Sequence, residues 1–239
     1  ENTDLEEDKV LDKIKLSLRA YSSLSQEVKR CFDYAFSELL NNAIEHSRSE
    51  KIDVNISIKD ENLEFSIIDE GVGIFKNIMT KYKLSSEVDA AQDLLKGKTT
   101  TAPHAHSGEG IFFSSKVCDL FEIDSHKIIL QVNNKLPDIF LRDFSSPIWG
   151  TTVKWKTALN SKRLILDIFS QYQKDKDLFE FDLTSVYVHL YTLDTIYISR
   201  SQARRLLAGL DKFKKIILDF SKVETIGQGF ADEIFRVFK

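Results

Sequence analysis

The chain has few cysteines and no long hydrophobic run. Cys31 and Cys118 are its two cysteines, and two thiols are too few for a disulfide framework or for a cysteine-rich zinc site. Each lies in an apolar helical context, where a buried free thiol is the simplest interpretation, and such thiols fit a reducing cytoplasm. No run of about 18 apolar residues occurs, so we expect no transmembrane helix, and no signal-peptide pattern is visible.

Positive charge is not in excess either. The net charge is −4 at pH 7, which gives no general attraction to nucleic acid or to an anionic membrane. The sequence therefore indicates neither of them as a partner. Hydrophobic residues make up 42% and charged residues 29% of the chain, as in an ordinary protein with a packed core. The length of 239 residues predicts one or two domains.

Hydrophobic periodicity predicts an α+β sandwich, with helices beside several strands, in the first part of the chain. Residues 6–20 and 25–46 have the spacing of amphipathic helices. Two strictly alternating segments follow, and the polar turn Asp60–Asn62 joins them as a β-hairpin. Next come a short helix, with Ser85 as its expected N-cap, and a helix from Gly110. Further strands are predicted near residues 120–125, 127–133, 139–143 and 151–155.

The last part of the chain predicts a smaller α/β unit. A connecting helix at residues 164–172 and the charged stretch Gln173–Asp177 mark the expected boundary. Beyond it, strands and helices alternate at residues 179–190, 201–210, 215–220 and 229–238. We divide the chain into a first domain at 1–157, a connecting segment at 158–177 and a second domain at 178–239. The second domain is expected to be incomplete at its C-terminus, because its last helix is still running at Lys239.

The second predicted helix carries a polar stripe. At about 100° per residue, Glu38, Asn42 and Glu45 share one narrow side, with His46 at its edge. A carboxamide oxygen can ligate Mg²⁺, which prefers oxygen, and a carboxylate one turn earlier can orient or deprotonate a water molecule. The competing interpretation is a solvated helix face, since polar stripes on helices are common.

A second motif, Asp69-Glu70-Gly71-Val72-Gly73, ends an apolar strand. Its two glycines let the backbone turn tightly and approach a ligand closely. A carboxylate at the strand end can accept a hydrogen bond from an exocyclic amine such as that of adenine. An ordinary β-turn with a capping Asp is the alternative.

A third motif, Ser107-Gly108-Glu109-Gly110-Ile111, precedes a helix. Glycines at a helix start expose backbone N–H groups to which an anion can bind. Lys96 and Lys98 lie upstream, within reach of a phosphate. An ordinary glycine-rich loop end is the alternative, because a lone Gly-x-Gly is a weak signal. A fourth motif, Gly150-Thr151-Thr152-Val153, opens a strand and carries little information alone.

In order, spacing and local structure, the four motifs resemble the nucleotide-binding boxes of the GHKL superfamily over Asp8 to Lys156. The resemblance implies a Bergerat-type ATP-binding sandwich that holds ATP and Mg²⁺ beneath a mobile lid at Phe75–Ser107. It implies that Glu38 is the catalytic, water-activating carboxylate, that Asn42 is the Mg²⁺ ligand and that Asp69 binds the adenine amine. The other expected cofactor-binding residues are Gly71 and Gly73 at the base pocket, Thr152 or Thr151 on the base side, and Lys98, Ser107, Gly108 and Gly110 around the phosphates.

Within the superfamily, the first and third motifs look like those of the anti-sigma-factor serine kinases. A sensor histidine kinase more often has Gly-x-Gly-Leu-Gly, whereas here Phe112 occupies the place of the last glycine. No histidine precedes His46, so no histidine phosphoacceptor helix is present. The resemblance implies a Mg·ATP-binding regulatory protein of bacterial signalling, either an ATPase or a serine/threonine kinase. The alternative is a nucleotide-gated interaction module with little or no catalysis.

The segments 199–207, 217–221 and 226–233 resemble a STAS-like domain. STAS domains include the anti-anti-sigma factors, which are the substrates of those kinases, so a regulatory factor or a STAS-type domain is the expected protein partner. The stretch that matches their phosphoacceptor site, Ile226–Gly229, has no hydroxyl. The tail is therefore expected to act as a docking or sensing module. Dimers are frequent in the superfamily, and the sequence leaves a homodimer open.

Overall fold

The structure is a computed structural model, and its described residues are 5–95, 110–136, 138–170, 185–189, 200–207, 215–220, 223 and 225–238. The first helices lie close to their predicted positions. Helix α1 spans Glu7–Ser17 and, after a 3-10 turn at Tyr21–Ser23, helix α2 spans Gln26–His46. Ser25 caps α2, because its hydroxyl oxygen accepts a hydrogen bond from the Val28 N–H at 3.3 Å and so satisfies one donor of the first turn.

An antiparallel sheet follows, built from strands β1, β2, β3 and β4 in the order β1-β2-β4-β3. The strands span Ile52–Lys59, Asn62–Asp69, Leu120–Asn133 and Asp138–Ala158. The predicted hairpin is confirmed, since β1 and β2 pair along their whole length. Asp60 and Glu61 make its turn with φ values of 49° and 58°, as a two-residue hairpin requires when its twist matches that of the strands.

Strands β3 and β4 are each bent, so four predicted strands form two longer ones. Leu120–Ser125 pairs with the C-terminal half of β4 and Ile128–Asn133 with its N-terminal half, across a register shift at His126. His126 has a φ of 51°. The Asn134 N–H donates to the Asp119 carbonyl at 2.9 Å, so the two ends of β3 lie side by side and the strand folds back at this irregularity.

Three helices lie between β2 and β3 in the described residues. Helices α3, α4 and α5 span Ile74–Tyr82, Glu87–Leu95 and Gly110–Lys116. Helix α3 was not predicted from the sequence. The predicted cap at Ser85 is corrected to Ser86, whose hydroxyl oxygen accepts from the Asp89 N–H at 3.1 Å. Of the predicted lid Phe75–Ser107, residues 96–107 lie outside the described residues.

The inward faces of α2 and the sheet form the main hydrophobic core. Alternate residues of β2 are buried, as expected for a strand that is covered on one face. Phe65 of β2 stacks on Trp155 of β4 with ring centroids 5.2 Å apart, and Phe32 and Phe36 of α2 meet Phe65 edge-on at 5.6 and 5.5 Å. The two cysteines are free and buried, as predicted, and burial raises the pKa of the Cys31 thiol to about 11.

The C-terminal unit, which we define as the described residues from Ser185 onward, follows the connecting helix α6 at Ile165–Ser170. Its elements are β5 (Ser185–His189), α7 (Arg200–Leu207), β6 (Lys215–Asp219), α8 (Gln228–Asp232) and a π-turn at Glu233–Val237. Strands β5 and β6 pair in parallel. The predicted boundary at 173–177 lies outside the described residues. Among the helices of the described ranges, none has the length and apolar character needed to cross a bilayer.

Candidate functional site

Asp69 is a buried carboxylate at the C-terminal end of β2, and the residue is 6% exposed. Its Oδ1 accepts hydrogen bonds from the Gly71 N–H at 2.9 Å and from the Thr151 N–H at 3.2 Å. Burial raises the pKa of the carboxyl group, and the two N–H donors oppose that shift. No described residue donates to Oδ2. The carboxylate is thus fixed through one oxygen, and its other oxygen is left to accept a hydrogen bond from a ligand.

The two glycines of the second motif are required by close contacts. A Cβ on Gly71 would overlap the Ser47 carbonyl oxygen, which also accepts a hydrogen bond from the Val72 N–H at 2.8 Å. Gly73 has a φ of 78°, a region that favours glycine, and a Cβ there would lie 2.9 Å from the Ser125 Oγ. The loop after β2 is therefore pressed against the C-terminal end of α2 on one side and against β3 on the other.

Strand β4 closes the other side of Asp69. Gly150 has a φ of 73°, and a Cβ there would overlap the Asp69 carbonyl oxygen. The next residue, Thr151, accepts a hydrogen bond from the Ile74 N–H through its Oγ1 at 3.0 Å. The Ser125 Oγ donates to the Gly150 carbonyl at 2.9 Å. Backbone and hydroxyl groups from three strands thus hold Asp69 and the start of α3 in one arrangement.

Thr151, and not Thr152, lies beside Asp69. Thr151 is the direct cross-strand partner of Asp69, whereas Thr152 pairs with Ile68 and with Asp124. Because successive side chains of a strand point to opposite faces, Thr152 belongs to the outer face of the sheet. The sequence left both threonines open for the base side, and the geometry favours Thr151.

The first and third motifs also meet. Gly110, the first residue of α5, lies against Glu38 of α2, and a Cβ on Gly110 would overlap the Glu38 Oε2. The polar stripe of α2 therefore faces the start of the helix that follows the predicted lid. The remaining residues of the third motif, Ser107 and Gly108, and the upstream Lys98 lie outside the described residues.

Asn42 lies one helical turn after Glu38 on α2. Its Nδ2 donates to the Glu38 carbonyl at 2.6 Å, which leaves the amide oxygen as the atom that can ligate a cation. Glu45 and His46, at the edge of the predicted stripe, approach each other at 4.0 Å. Within the described part of the chain, no group of three or more His, Cys, Asp or Glu side chains is arranged to hold a metal ion.

Sequence reasoning missed the serines that hold the second motif in place. The Ser49 Oγ accepts a hydrogen bond from the Glu70 N–H at 3.1 Å and donates to the Lys51 carbonyl at 2.7 Å. The Ser47 Oγ in turn accepts from the Ser49 N–H at 3.0 Å. A short polar loop after a helix was the only available signal, and it does not reveal which distant backbone group it binds.

Comparison with known proteins identifies both parts of the chain. A search of the curated proteins found no match. The family model of a STAS-like domain of unknown function matches residues 202–239, in agreement with the resemblance of the tail. The family model of the histidine kinase-, DNA gyrase B- and HSP90-like ATPases matches residues 28–156, and this range includes Glu38, Asn42, Asp69 and Thr151. Because that match covers more than half of the chain, the protein belongs to the family of histidine kinase-, DNA gyrase B- and HSP90-like ATPases.

Proposed function

We propose that the chain binds Mg·ATP at this site and acts on the γ-phosphate, either as an ATP hydrolase or as a serine/threonine kinase of the anti-sigma-factor type. The observation that carries the proposal is the Asp69 carboxylate, fixed at Oδ1 by Gly71 and Thr151 while no described residue donates to Oδ2. A fixed acceptor at the end of a buried strand suits the amino group of adenine, which can only donate.

The phosphate side of the proposed site consists of α2 and α5. Mg²⁺ commonly binds through one or two protein oxygens together with phosphate oxygens, and the amide oxygen of Asn42 suits that role because its Nδ2 is engaged by the Glu38 carbonyl. Bound Mg²⁺ would neutralise charge on the phosphates. Gly110 adjoins the Glu38 carboxylate, and Lys98, Ser107 and Gly108 stay predicted phosphate contacts.

Glu38 is the proposed general base. Its carboxylate accepts a proton from a water molecule or from a protein hydroxyl as the new O–P bond forms and the bond from the γ-phosphorus to the bridging oxygen breaks, so that ADP leaves. Whether the acceptor is water or a protein hydroxyl distinguishes an ATPase from a kinase. The contact between Glu38 and Gly110 supports this role, because it brings the carboxylate to the start of the predicted phosphate-binding helix.

The decisive test of nucleotide binding is calorimetric titration of Mg·ATP into wild type and Asp69→Asn. If the amide oxygen keeps the bonds to Gly71 and Thr151, the amide nitrogen faces the adenine amine, and two donors oppose each other. We expect at least about tenfold weaker binding, as for the loss of a hydrogen bond to a charged group. The matched control is Asp53→Asn on β1, where the exposed carboxylate pairs with Lys51. Equal affinity in the two variants would exclude Asp69 as the base-binding residue.

Catalysis is tested by Glu38→Gln, which keeps the shape of the side chain and removes the base. We expect ATP affinity to stay within about threefold of wild type while phosphate release falls by about 10²- to 10⁴-fold, the usual contribution of a general base. If both wild type and Glu38→Gln bind ATP and release phosphate at the same slow rate, the chain is instead a nucleotide-gated interaction module.

The two matched families support a wider role for the chain. An ATPase domain joined to a STAS-like domain fits cytoplasmic bacterial signalling, with a regulatory factor or another STAS-type domain as partner. Incubation with γ-labelled ATP and a purified STAS-type substrate tests the kinase alternative. Label on the substrate supports a kinase, and label only in free phosphate supports an ATPase.

A further inference from the structure

The C-terminal unit shares a second hydrophobic core with α5, the helix that starts at Gly110. The buried members of this core are Phe112, Phe113, Ala203, Leu206, Leu207, Phe230 and Ile234. The two phenylalanines belong to the ATPase-family region, and the other residues belong to α7, α8 and the π-turn. This shared core, which we call the docking core, joins the C-terminal unit directly to a helix of the proposed nucleotide site.

The docking core is closely packed. Phe113 is 1% exposed, and Ala203 and Phe230 are fully buried. Phe113 meets Phe169 of α6 edge-on with ring centroids 4.6 Å apart, and Phe169 meets Tyr34 of α2 at 5.1 Å. Because buried apolar surface contributes in proportion to its area, such a contact holds the C-terminal unit on α5 more firmly than a polar surface contact would.

Ion pairs hold the helices of the C-terminal unit together. Arg204 of α7 binds the buried Glu233 carboxylate through Nε at 2.7 Å, and Arg200 binds Asp232 at 2.7 Å. The structure thus pairs these arginines with acids of the π-turn and α8. Helices α7 and α8 both contribute apolar side chains to the docking core that contains Phe112 and Phe113 of α5.

Helix α5 is short enough to contact both the proposed nucleotide site and the docking core. It has 7 residues, so its length is about 10 Å. Its first residue, Gly110, adjoins the Glu38 carboxylate, and the docking-core residues Phe112 and Phe113 follow within one turn. A displacement of α5 at the nucleotide therefore displaces the surface on which the C-terminal unit is packed, because packed cores do not deform continuously.

We propose that the C-terminal unit is a built-in regulator of the nucleotide site, and that its docking on α5 and the binding of Mg·ATP are energetically coupled. The proposal rests on the proposed function and extends it from ATP binding to the control of that binding. Coupling is reciprocal. If bound nucleotide weakens the docking of the unit, the docked unit weakens nucleotide binding by the same factor, and if bound nucleotide strengthens docking, the docked unit strengthens nucleotide binding by the same factor. A typical factor is about 5- to 150-fold.

Lys116 is the last residue of α5 and lies beside the docking core. Its ammonium group lies 5.4 Å from the centroid of the Phe112 ring, and burial lowers its pKa. No carboxylate of the described residues forms an ion pair with it. Burial therefore disfavours the charged form of this partly buried side chain, and the Phe112 ring offsets part of that cost.

The first experiment separates the C-terminal unit from α5 in the full chain. Leu207→Glu places a charge in the docking core, where Leu207 is 5% exposed, and Leu136→Glu is the matched control at a residue that is 71% exposed. We expect faster amide exchange in α5 and α7 of Leu207→Glu, unchanged exchange in β1 and β2, and an ATP affinity that differs from wild type by about fivefold or more. An undocked unit with ATP affinity within twofold of wild type overturns the proposal.

The second experiment needs no change in the docking core. Amide exchange of wild type is measured with and without Mg·ATP, and Asp69→Asn is the control for nucleotide that does not bind. We expect ATP to change exchange in α7 and in residues 228–238 of wild type and to change neither in Asp69→Asn. Bound ATP with unchanged exchange in these segments overturns the coupling and leaves the proposed function intact. Absence of ATP binding by wild type overturns both.

Discussion

The base side and the phosphate side of the proposed nucleotide site are built from different kinds of contact. On the base side, backbone atoms meet backbone atoms: a Cβ on Gly71 would overlap the Ser47 carbonyl, and one on Gly150 would overlap the Asp69 carbonyl. On the phosphate side, Gly110 meets the far end of the Glu38 side chain. A side chain changes rotamer at little cost, whereas a strand or a helix end moves only with its packing.

This difference assigns separate tasks to the two sides. The base side is pre-formed, because Asp69 is held by the backbone before any ligand arrives. The phosphate side is adjustable, and it shares α5 with the docking core. We therefore expect the base side to fix the identity of the nucleotide and the phosphate side to communicate its presence to the C-terminal unit.

The same substitution on each side gives the largest contrast. In Gly71→Ala the new methyl group meets the Ser47 carbonyl, and we expect the free energy of unfolding to fall by about 3 kcal/mol, at the upper end of the cost of overpacking, with loss of ATP binding. In Gly110→Ala the new methyl group displaces the end of the Glu38 side chain. We expect nearly unchanged stability, because the preference of a helix for Ala over Gly, about 0.5–1 kcal/mol, offsets the cost of moving that side chain. We also expect slower phosphate release, because Glu38 is displaced.

Urea denaturation and calorimetry measure both variants. Equal losses of stability in Gly71→Ala and Gly110→Ala would contradict the contrast between a backbone-built and a side-chain-built side. Retained ATP binding in Gly71→Ala would show that the loop after β2 is less fixed than its contacts indicate.

The pH dependence of base binding sharpens the same contrast. The pKa of Asp69 is raised above its ordinary value of 3.8, and the ionised form is the one proposed to accept a hydrogen bond from the adenine amine at Oδ2. We expect adenosine affinity to fall up to about tenfold per pH unit once the pH drops below that raised pKa. Adenosine, followed by NMR titration, avoids the titration of the phosphates. Constant affinity as the pH falls through the pKa of Asp69 would contradict the base-side assignment.

The effect of Asp69 on stability has the opposite sign. Because its pKa is higher in the folded chain than in the unfolded chain, its contribution to stability is fully present below the unfolded pKa and is lost as the pH rises through the folded pKa. Acid therefore weakens base binding at Asp69 while it relieves the cost of burying that charge. If Asp69 has only a structural role, acid changes the stability of the chain but not its affinity for adenosine. If Asp69 binds the base, acid changes both, in opposite directions.

A smaller effect is expected from the hydroxyl that anchors α3. Thr151→Val removes the acceptor of the Ile74 N–H, which lies 3.0 Å from the Thr151 Oγ1, and we expect a loss of about 1–2 kcal/mol in unfolding free energy. Thr152→Val is the matched control on the outer face of the sheet, with an expected change within about 0.5 kcal/mol. A larger loss of unfolding free energy in Thr152→Val than in Thr151→Val would contradict the assignment of Thr151 as the residue that anchors α3.

The smallest expected effect belongs to the docking core. Lys116→Met removes an ammonium group whose charge burial disfavours and keeps a long apolar side chain. We therefore expect the free energy of unfolding to increase by about 1 kcal/mol and amide exchange in α7 to slow. The exposed Lys127→Met is the control. A decrease in stability would show that the charge on Lys116 helps docking instead of opposing it.

Local pattern was enough to predict the framework of the site. The alternation in β1 and β2 and the apolar spacing of α2 were strong, and Asp69, Gly71 and Gly73 follow directly from the end of β2. Helix α3 was missed because its first residues continue the glycine motif and its 9 residues give only a short periodic signal. The two halves of β3 were predicted separately, since nothing local indicates that strand pairing continues through His126.

Contacts between distant segments were beyond sequence reasoning. The Gly150 contact with Asp69 and the Ser125 bond to Gly150 depend on the register of β2, β3 and β4, and register is a property of the folded sheet. The apolar character of Phe112 and Phe113 was visible in the sequence. Their partners in α7 and α8 were not, because an apolar helix face does not specify what covers it.

The two buried cysteines make the chain ready for spectroscopy. Cys31 and Cys118 are 2% and 0% exposed, and burial raises the pKa of each thiol, so both react slowly with thiol-directed dyes at neutral pH. A single cysteine added at an exposed position would therefore be labelled selectively without removal of the native ones. With two such cysteines, one in α1 and one in the π-turn, a pair of dyes would then report the distance between the ATPase region and the C-terminal unit in single molecules.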